Sequence, residues 1–239
     1  MAPLVARPDL AVLPTATRDA LSKVAARFPV ALLSGRDRED VAARVGLPGL
    51  VYAGSHGFDI AGPGLRHEVG EGIPEQIESA AASLRQALAG IPGILIEPKR
   101  FALSIHYRQT PADRRPEIER VVEAVAAQHP RLKRALGKKL FELRPDLDWD
   151  KGKALLWVLQ EMGLTGPGAL PIYLGDDLTD EDAFQAIAEV GGIGIVVQEE
   201  DIPGETAAGY SLRDPGEVRE LLERLLKLTR HSHPPPPRR

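Results

Sequence analysis

The 239-residue chain has no cysteine. That excludes disulfides, thiolate zinc sites and iron–sulfur clusters, and leaves carboxylates, histidine and backbone groups to hold any metal. A hard, oxygen-preferring ion such as Mg2+ suits such donors. No apolar run approaches the roughly 18 residues of a membrane-spanning helix. The N-terminus also lacks the basic start and apolar stretch of a signal peptide, so a soluble, cytoplasmic protein with no membrane partner is expected. Charge of one sign is not in excess either: 30 Lys plus Arg against 34 Asp plus Glu give a net charge of -4, which argues against a nucleic-acid partner. Aromatic residues are sparse at 5%, yet 43% of the chain is hydrophobic and 27% charged. That is ordinary globular usage, enough to bury a core.

Apolar runs alternate with helical patterns in the first and last quarters, the mark of strand–helix–strand units that build a parallel sheet. The spacing predicts helices over residues 17–27, 37–45, 151–162, 180–190 and 217–228, with buried strands at 28–33, 50–53, 171–174 and 194–197. The middle reads differently. Residues 94–108 and 138–145 alternate as long strands, with helices near 74–88 and 116–128, and form an inserted α+β module from about 58 to 148. The prolines of 231–239 suit an extended, disordered tail.

The densest chemical signal is Gly175-Asp-Asp-Leu-Thr-Asp-Glu-Asp182, with five carboxylates directly after a buried strand. Helix capping and the helix dipole account for Asp180, Glu181 and Asp182. Asp176 and Asp177 sit where α/β folds bind ligands, and a divalent ion would neutralise them. In Leu33-Ser-Gly-Arg36, a strand ends in Ser34 and Gly35 admits a ligand to the backbone before a helix begins; Ser34 either holds an anion or caps that helix. Lys151 and Lys153 stand in the first turn of a helix, where cations oppose the dipole, so a phosphate partner for Lys151 is expected. In the middle module, Ser104, His106 and Arg108 alternate with Phe101, Leu103, Ile105 and Tyr107. Glu97 with Lys99, and Lys138 with Glu142, form two acid–base pairs, suited to a hydroxyl-rich ligand or to a solvated ionic face.

These segments resemble the haloacid dehalogenase superfamily and, within it, the trehalose-6-phosphate phosphatases. The resemblance runs through Ser34-Gly-Arg36, Gly54-Ser-His-Gly57, Glu97-Pro-Lys99, His106-Tyr-Arg108, Gly137-Lys138, Glu142-Leu-Arg-Pro145, Asp150-Lys-Gly-Lys153 and Gly175-Asp-Asp177, in the family's order. It implies an α/β, Rossmann-like core of residues 1–57 and 149–230, with 58–148 as a sugar-recognising α+β cap. It also implies Mg2+ at Asp176, supported by Asp177 and Asp180. Ser34 and Lys151 would hold the phosphoryl group, and Glu97, Lys99, Lys138 and Glu142 would contact the disaccharide, with Arg36, His56 and Arg108 as further substrate contacts. The expected substrate is trehalose 6-phosphate and the expected state a monomer.

One departure accompanies the resemblance. The family's Asp-x-Asp-Gly-Thr strand, whose first Asp is the nucleophile, does not occur, because the sequence opens at Met-Ala-Pro-Leu-Val5. A first core strand absent from the given sequence is therefore expected. Phosphatases of other glycosyl phosphates, such as sucrose phosphate, and a non-catalytic sugar-phosphate-binding relative stay open as alternatives.

Overall fold

The computed structural model describes residues 13–137, 140–198 and 206–228. Lys138, residues 1–12 and the tail 231–239, for which the sequence raises expectations, lie outside the described residues.

The chain opens with α1 (Thr15–Ala25), β1 (Ala31–Leu33), α2 (Arg38–Val45) and β2 (Val51–Gly54). β1 and β2 pair in parallel. β3 (Asp59–Gly62) and β4 (Leu65–Glu68) then fold back antiparallel onto β2, giving the order β1-β2-β3-β4. The ladder of this hairpin belongs to the first sheet. Phe58 and Val69, the residues flanking it, pack instead into the core of the middle module.

The middle module holds α3 (Ile73–Ala87), β5 (Leu95–Lys99), β6 (Ala102–His106), α4 (Arg115–Gln128), β7 (Leu132–Gly137) and β8 (Leu140–Pro145). Its antiparallel sheet has the order β5-β6-β8-β7. One face carries Leu103, Ile105, Phe141 and Leu143, packed on Ile77, Ala80 and Leu84 of α3 and Ile118 and Val122 of α4. Each fully buried Leu, Ile or Phe there contributes on the order of 1.5–3 kcal/mol. The alternation over 94–108 predicts a single strand, but the structure breaks it at Arg100–Phe101 into a tight hairpin, with Lys99 paired to Ala102.

The chain returns through α5 (Lys151–Glu161), β9 (Ile172–Gly175), α6 (Glu181–Glu189), β10 (Ile193–Val197), β11 (Tyr210–Leu212) and α7 (Pro215–Leu228). β9, β10 and β11 form a second, all-parallel sheet with β10 in the middle. α5 joins this sheet to the first. Its Ala154 and Val158 pack on Val51, Ala53 and Ile60, while Leu155 and Leu159 pack on Tyr173, Phe184 and Ile187; Leu33 of β1 touches both groups. This places the carboxyl ends of β1, β2 and β9 around the first turn of α5. Among the described residues no helix is long and apolar enough to cross a membrane.

Candidate active site

Ser34 follows the last residue of β1 and is locked by backbone bonds. Its N–H donates to Ala53 O at 2.9 Å, and its carbonyl accepts from His56 N at 2.8 Å. Its hydroxyl accepts from Arg36 N at 3.1 Å. Ser34 does not cap α2, whose N-cap is Asp37 with no side-chain cap bond. Asp37 accepts instead from the Ser55 hydroxyl at 2.9 Å. Of the two readings of Ser34, capping is thus removed. Arg36 is held along α2 by Asp40, at 3.1 Å.

Ser55 and His56 carry positive φ, 49° and 60°. Non-glycine residues rarely adopt this conformation, and it marks strained functional turns. The strain turns the His56 ring over Gly35, where a Cβ would stand 2.8 Å from Cε1. Only glycine allows that approach. Burial lowers the His56 pKa to about 3, and the positive charges of Arg144, Lys151 and Lys99 push it the same way. The imidazole is therefore neutral at physiological pH.

Asp180 and Lys151 form a buried pair at the end of β9 and the start of α5, with Nζ 2.6 Å from Oδ1. The Tyr173 hydroxyl donates to the same oxygen at 2.6 Å, and the backbone N–H groups of Asp176 and Asp177 donate to Oδ2 at 2.9 Å each. A carboxylate offers about four acceptor positions, and all four are engaged. Burial opposes ionisation of Asp180, but the charge of Lys151 and these hydrogen bonds outweigh it and hold the pKa below the ordinary value. Burial together with Asp180 raises the Tyr173 hydroxyl, which stays a donor. In the first turn of α5 Lys151 opposes the helix dipole, and the structure supplies the compensation as Asp180.

The structure divides the three carboxylates that the sequence groups around a metal. Asp180 is the buried brace of the loop, while Asp176 and Asp177 are exposed at its tip. Among the described residues no three His, Cys, Asp or Glu side chains converge as a metal set. Mg2+ is commonly held by one or two carboxylates, completed by water and substrate phosphate, and two adjacent exposed oxygen donors fit that mode.

The β5-β6-β8-β7 sheet carries a polar face, from which the charges of Lys99 and Arg144 bear on His56. Glu97 pairs with Ser104, and Ser104 with Glu142, so the three share one row. Glu142 Oε1 accepts from the Ser104 hydroxyl at 3.3 Å, and Glu142 Oε2 is bonded by Arg144 Nε. His106 Nε2 lies 2.9 Å from Glu97 Oε2. Lys99 stands one row nearer the hairpin tip. Arg108 is placed apart: it is exposed beyond the end of β6, about 20 Å of extended chain from Ala102. The residue missing from the sequence-based set is Arg144. Period-two spacing from Glu142 puts it on the same face, a signal legible in Glu142-Leu-Arg-Pro145.

Strand-end loops of an α/β core facing the polar sheet of an inserted α+β module are the architecture of haloacid-dehalogenase-like phosphatases with caps. A model described as Trehalose-phosphatase matches residues 1–216. The chain belongs to the trehalose-phosphatase family. Trehalose-phosphate phosphatase of Mycobacterium tuberculosis (strain H37Rv) is 44% identical over 233 residues, covering 96% of this chain and 59% of that protein. The Mycobacterium marinum protein of the same name is 46% identical over 226 residues, covering 93% and 58%. The chain thus spans about three-fifths of the length of these relatives. Among solved structures, a trehalose-6-phosphate phosphatase related protein superposes with a TM-score of 0.79 at 24% identity, covering 97% of this chain and 95% of that one. Aspergillus fumigatus trehalose-6-phosphate phosphatase gives 0.62 at 26% identity, covering 95% and 89%.

Proposed function

We propose that this chain is the phosphatase unit of a protein that hydrolyses trehalose 6-phosphate to trehalose and phosphate, acting as a cytoplasmic monomer with Mg2+. The observation that carries the reading is the opposition of two chemistries. Strand-end loops with Lys151, Ser34 and exposed Asp176 face a cap sheet whose polar row presents Glu97 and Glu142.

In this reading Asp176, with Asp177 beside it, would hold Mg2+, which neutralises charge on the phosphoryl oxygens when bound. Lys151, fixed by Asp180, presents a second positive charge that needs no reorganisation as charge shifts during reaction. Ser34 offers a hydroxyl donor from a position set by three hydrogen bonds. Neutral His56 fills the space over Gly35 without adding charge. Glu97 and Glu142 accept hydrogen bonds from sugar hydroxyls, and Lys99 donates to them. Binding energy from the second glucose orients the phosphate at the loops.

The test is Mg2+-dependent phosphate release from trehalose 6-phosphate, glucose 6-phosphate and sucrose 6-phosphate, by residues 1–239 and by the same chain extended in frame upstream. A higher kcat/KM for trehalose 6-phosphate in either form supports the reading. Equal values for all three substrates, or preference for another, overturn it.

A further inference from the structure

We propose that Arg144 is a phosphate-binding residue, through which the cap grips the phosphoryl group as well as the sugar. The inference deepens the sugar-phosphate reading above and rests on it.

The register of the cap sheet sorts its polar face into rows. Lys99 is paired with Ala102, and Lys133 with Arg144. One step along the β6–β8 register from Leu103 and Leu143, Arg144 lies beside Ala102. The row nearest the hairpin tip therefore reads Lys99, Ala102, Arg144, Lys133, and is basic. The next row reads Glu97, Ser104, Glu142, Ala135, and carries the carboxylates. Lys133 is drawn to Asp146, at 3.3 Å. Lys99 and Arg144 remain, separated only by the short side chain of Ala102.

This basic row is the part of the cap whose charges bear on the core loops. Arg144 exerts the strongest charge effect on buried His56, ahead of Lys151, and Lys99 follows. Three cations on three different elements, β5, β8 and α5, thus bear on one neutral ring. Lys151 is paired with Asp180 within the loop, whereas Lys99 has no carboxylate partner among the described residues.

Arg144 is also held in place. Its Nε bonds to Glu142 Oε2, and Glu142, 8% exposed, is anchored through Oε1 by Ser104. The two terminal nitrogens of the guanidinium have no hydrogen-bond partner among the described residues, although 30% of the side chain is open to solvent. A fixed planar fork with free donors matches a phosphomonoester dianion, which accepts two parallel N–H bonds. Sugar hydroxyls find their acceptors one row further, at Glu97 and Glu142. The order of charges along the cap therefore repeats the order of groups along a sugar phosphate.

The test uses calorimetric titration of residues 1–239 in Mg2+ with trehalose 6-phosphate, glucose 6-phosphate, trehalose and inorganic phosphate. Arg144→Ala should weaken trehalose 6-phosphate about tenfold or more, as expected for loss of hydrogen bonds to a charged group, and leave trehalose within about twofold. Arg144→Lys, which keeps the charge without the fork, should fall between and covers the case in which the alanine variant melts early. Equal weakening of trehalose and trehalose 6-phosphate would make Arg144 a structural support of the sugar row and overturn the proposal, as would no weakening of either. If wild type binds trehalose 6-phosphate no tighter than glucose 6-phosphate, the substrate reading fails separately. Inorganic phosphate still decides Arg144 then, because an unchanged affinity in Arg144→Ala, or no measurable affinity in wild type, rejects it.

Discussion

Lys151 Nζ and Asp180 Oδ1 stand 2.6 Å apart with side chains only 6% and 4% exposed, and this pair joins the first turn of α5 to the loop after β9. Removing one member leaves the other charged, buried and unpaired, at a cost of about 3–5 kcal/mol. Asp180→Ala should therefore lower the melting temperature by roughly 10 °C in a chain of this size. It should also free the Tyr173 hydroxyl and two backbone N–H groups. In the double variant Lys151→Ala/Asp180→Ala the losses should fall short of the sum of the singles. Additivity, measured by urea denaturation, would show that the pair is uncoupled.

Acid should destabilise the fold in two stages. The pKa of His56 falls from 6.5 unfolded to about 3 folded, with burial the main cause. The unfolded chain then binds the extra proton between those values, so this contribution is complete above pH 6.5 and shrinks as pH drops toward 3. The pKa of Asp180 is also depressed in the folded state. Its contribution is present above its unfolded value near 3.8 and is lost only below that. His56→Asn, which tolerates positive φ, should flatten the melting temperature profile between pH 6.5 and 4. An unchanged slope there would contradict a neutral, buried His56.

Gly57→Ala should be among the most damaging single-methyl changes. Gly57 has φ of 94°, and an added Cβ would stand 2.2 Å from Ala154 Cβ in α5. Its carbonyl also accepts from Trp149 Nε1 at 2.9 Å, tying the chain that enters the middle module to the chain that leaves it. Backbone strain and overpacking each cost about 1–3 kcal/mol. A loss under about 1 kcal/mol in urea denaturation would mean that the α5 contact relaxes freely.

Asp176→Asn, at an exposed position, should abolish the rise in melting temperature that Mg2+ produces in wild type. A preserved Mg2+ shift would move the metal away from Asp176.

The sequence by itself determined the alternation of strands and helices at both ends, because buried strands and amphipathic helices differ in apolar period over short windows. The helices over 151–162 and 217–228 and the strand before Asp176 were legible this way. So was the polar face that carries Ser104 and His106. Tertiary structure decided what those windows cannot encode. In one continuous strand, odd-numbered Glu97 and Lys99 would share a face with Phe101 and Leu103; the turn at Arg100–Phe101 reverses the chain and sets Glu97 opposite Ser104. Lys151 and Asp180 are 29 residues apart, and only the packing of α5 on α6 and β9 makes the first the counter-charge of the second. The hairpin at 59–68 shows no composition distinct from its surroundings, and its place in the first sheet follows from pairing with β2. Local spacing sets which side of an element a residue occupies. Which element lies opposite is set by long-range burial, and here that contact defines the site.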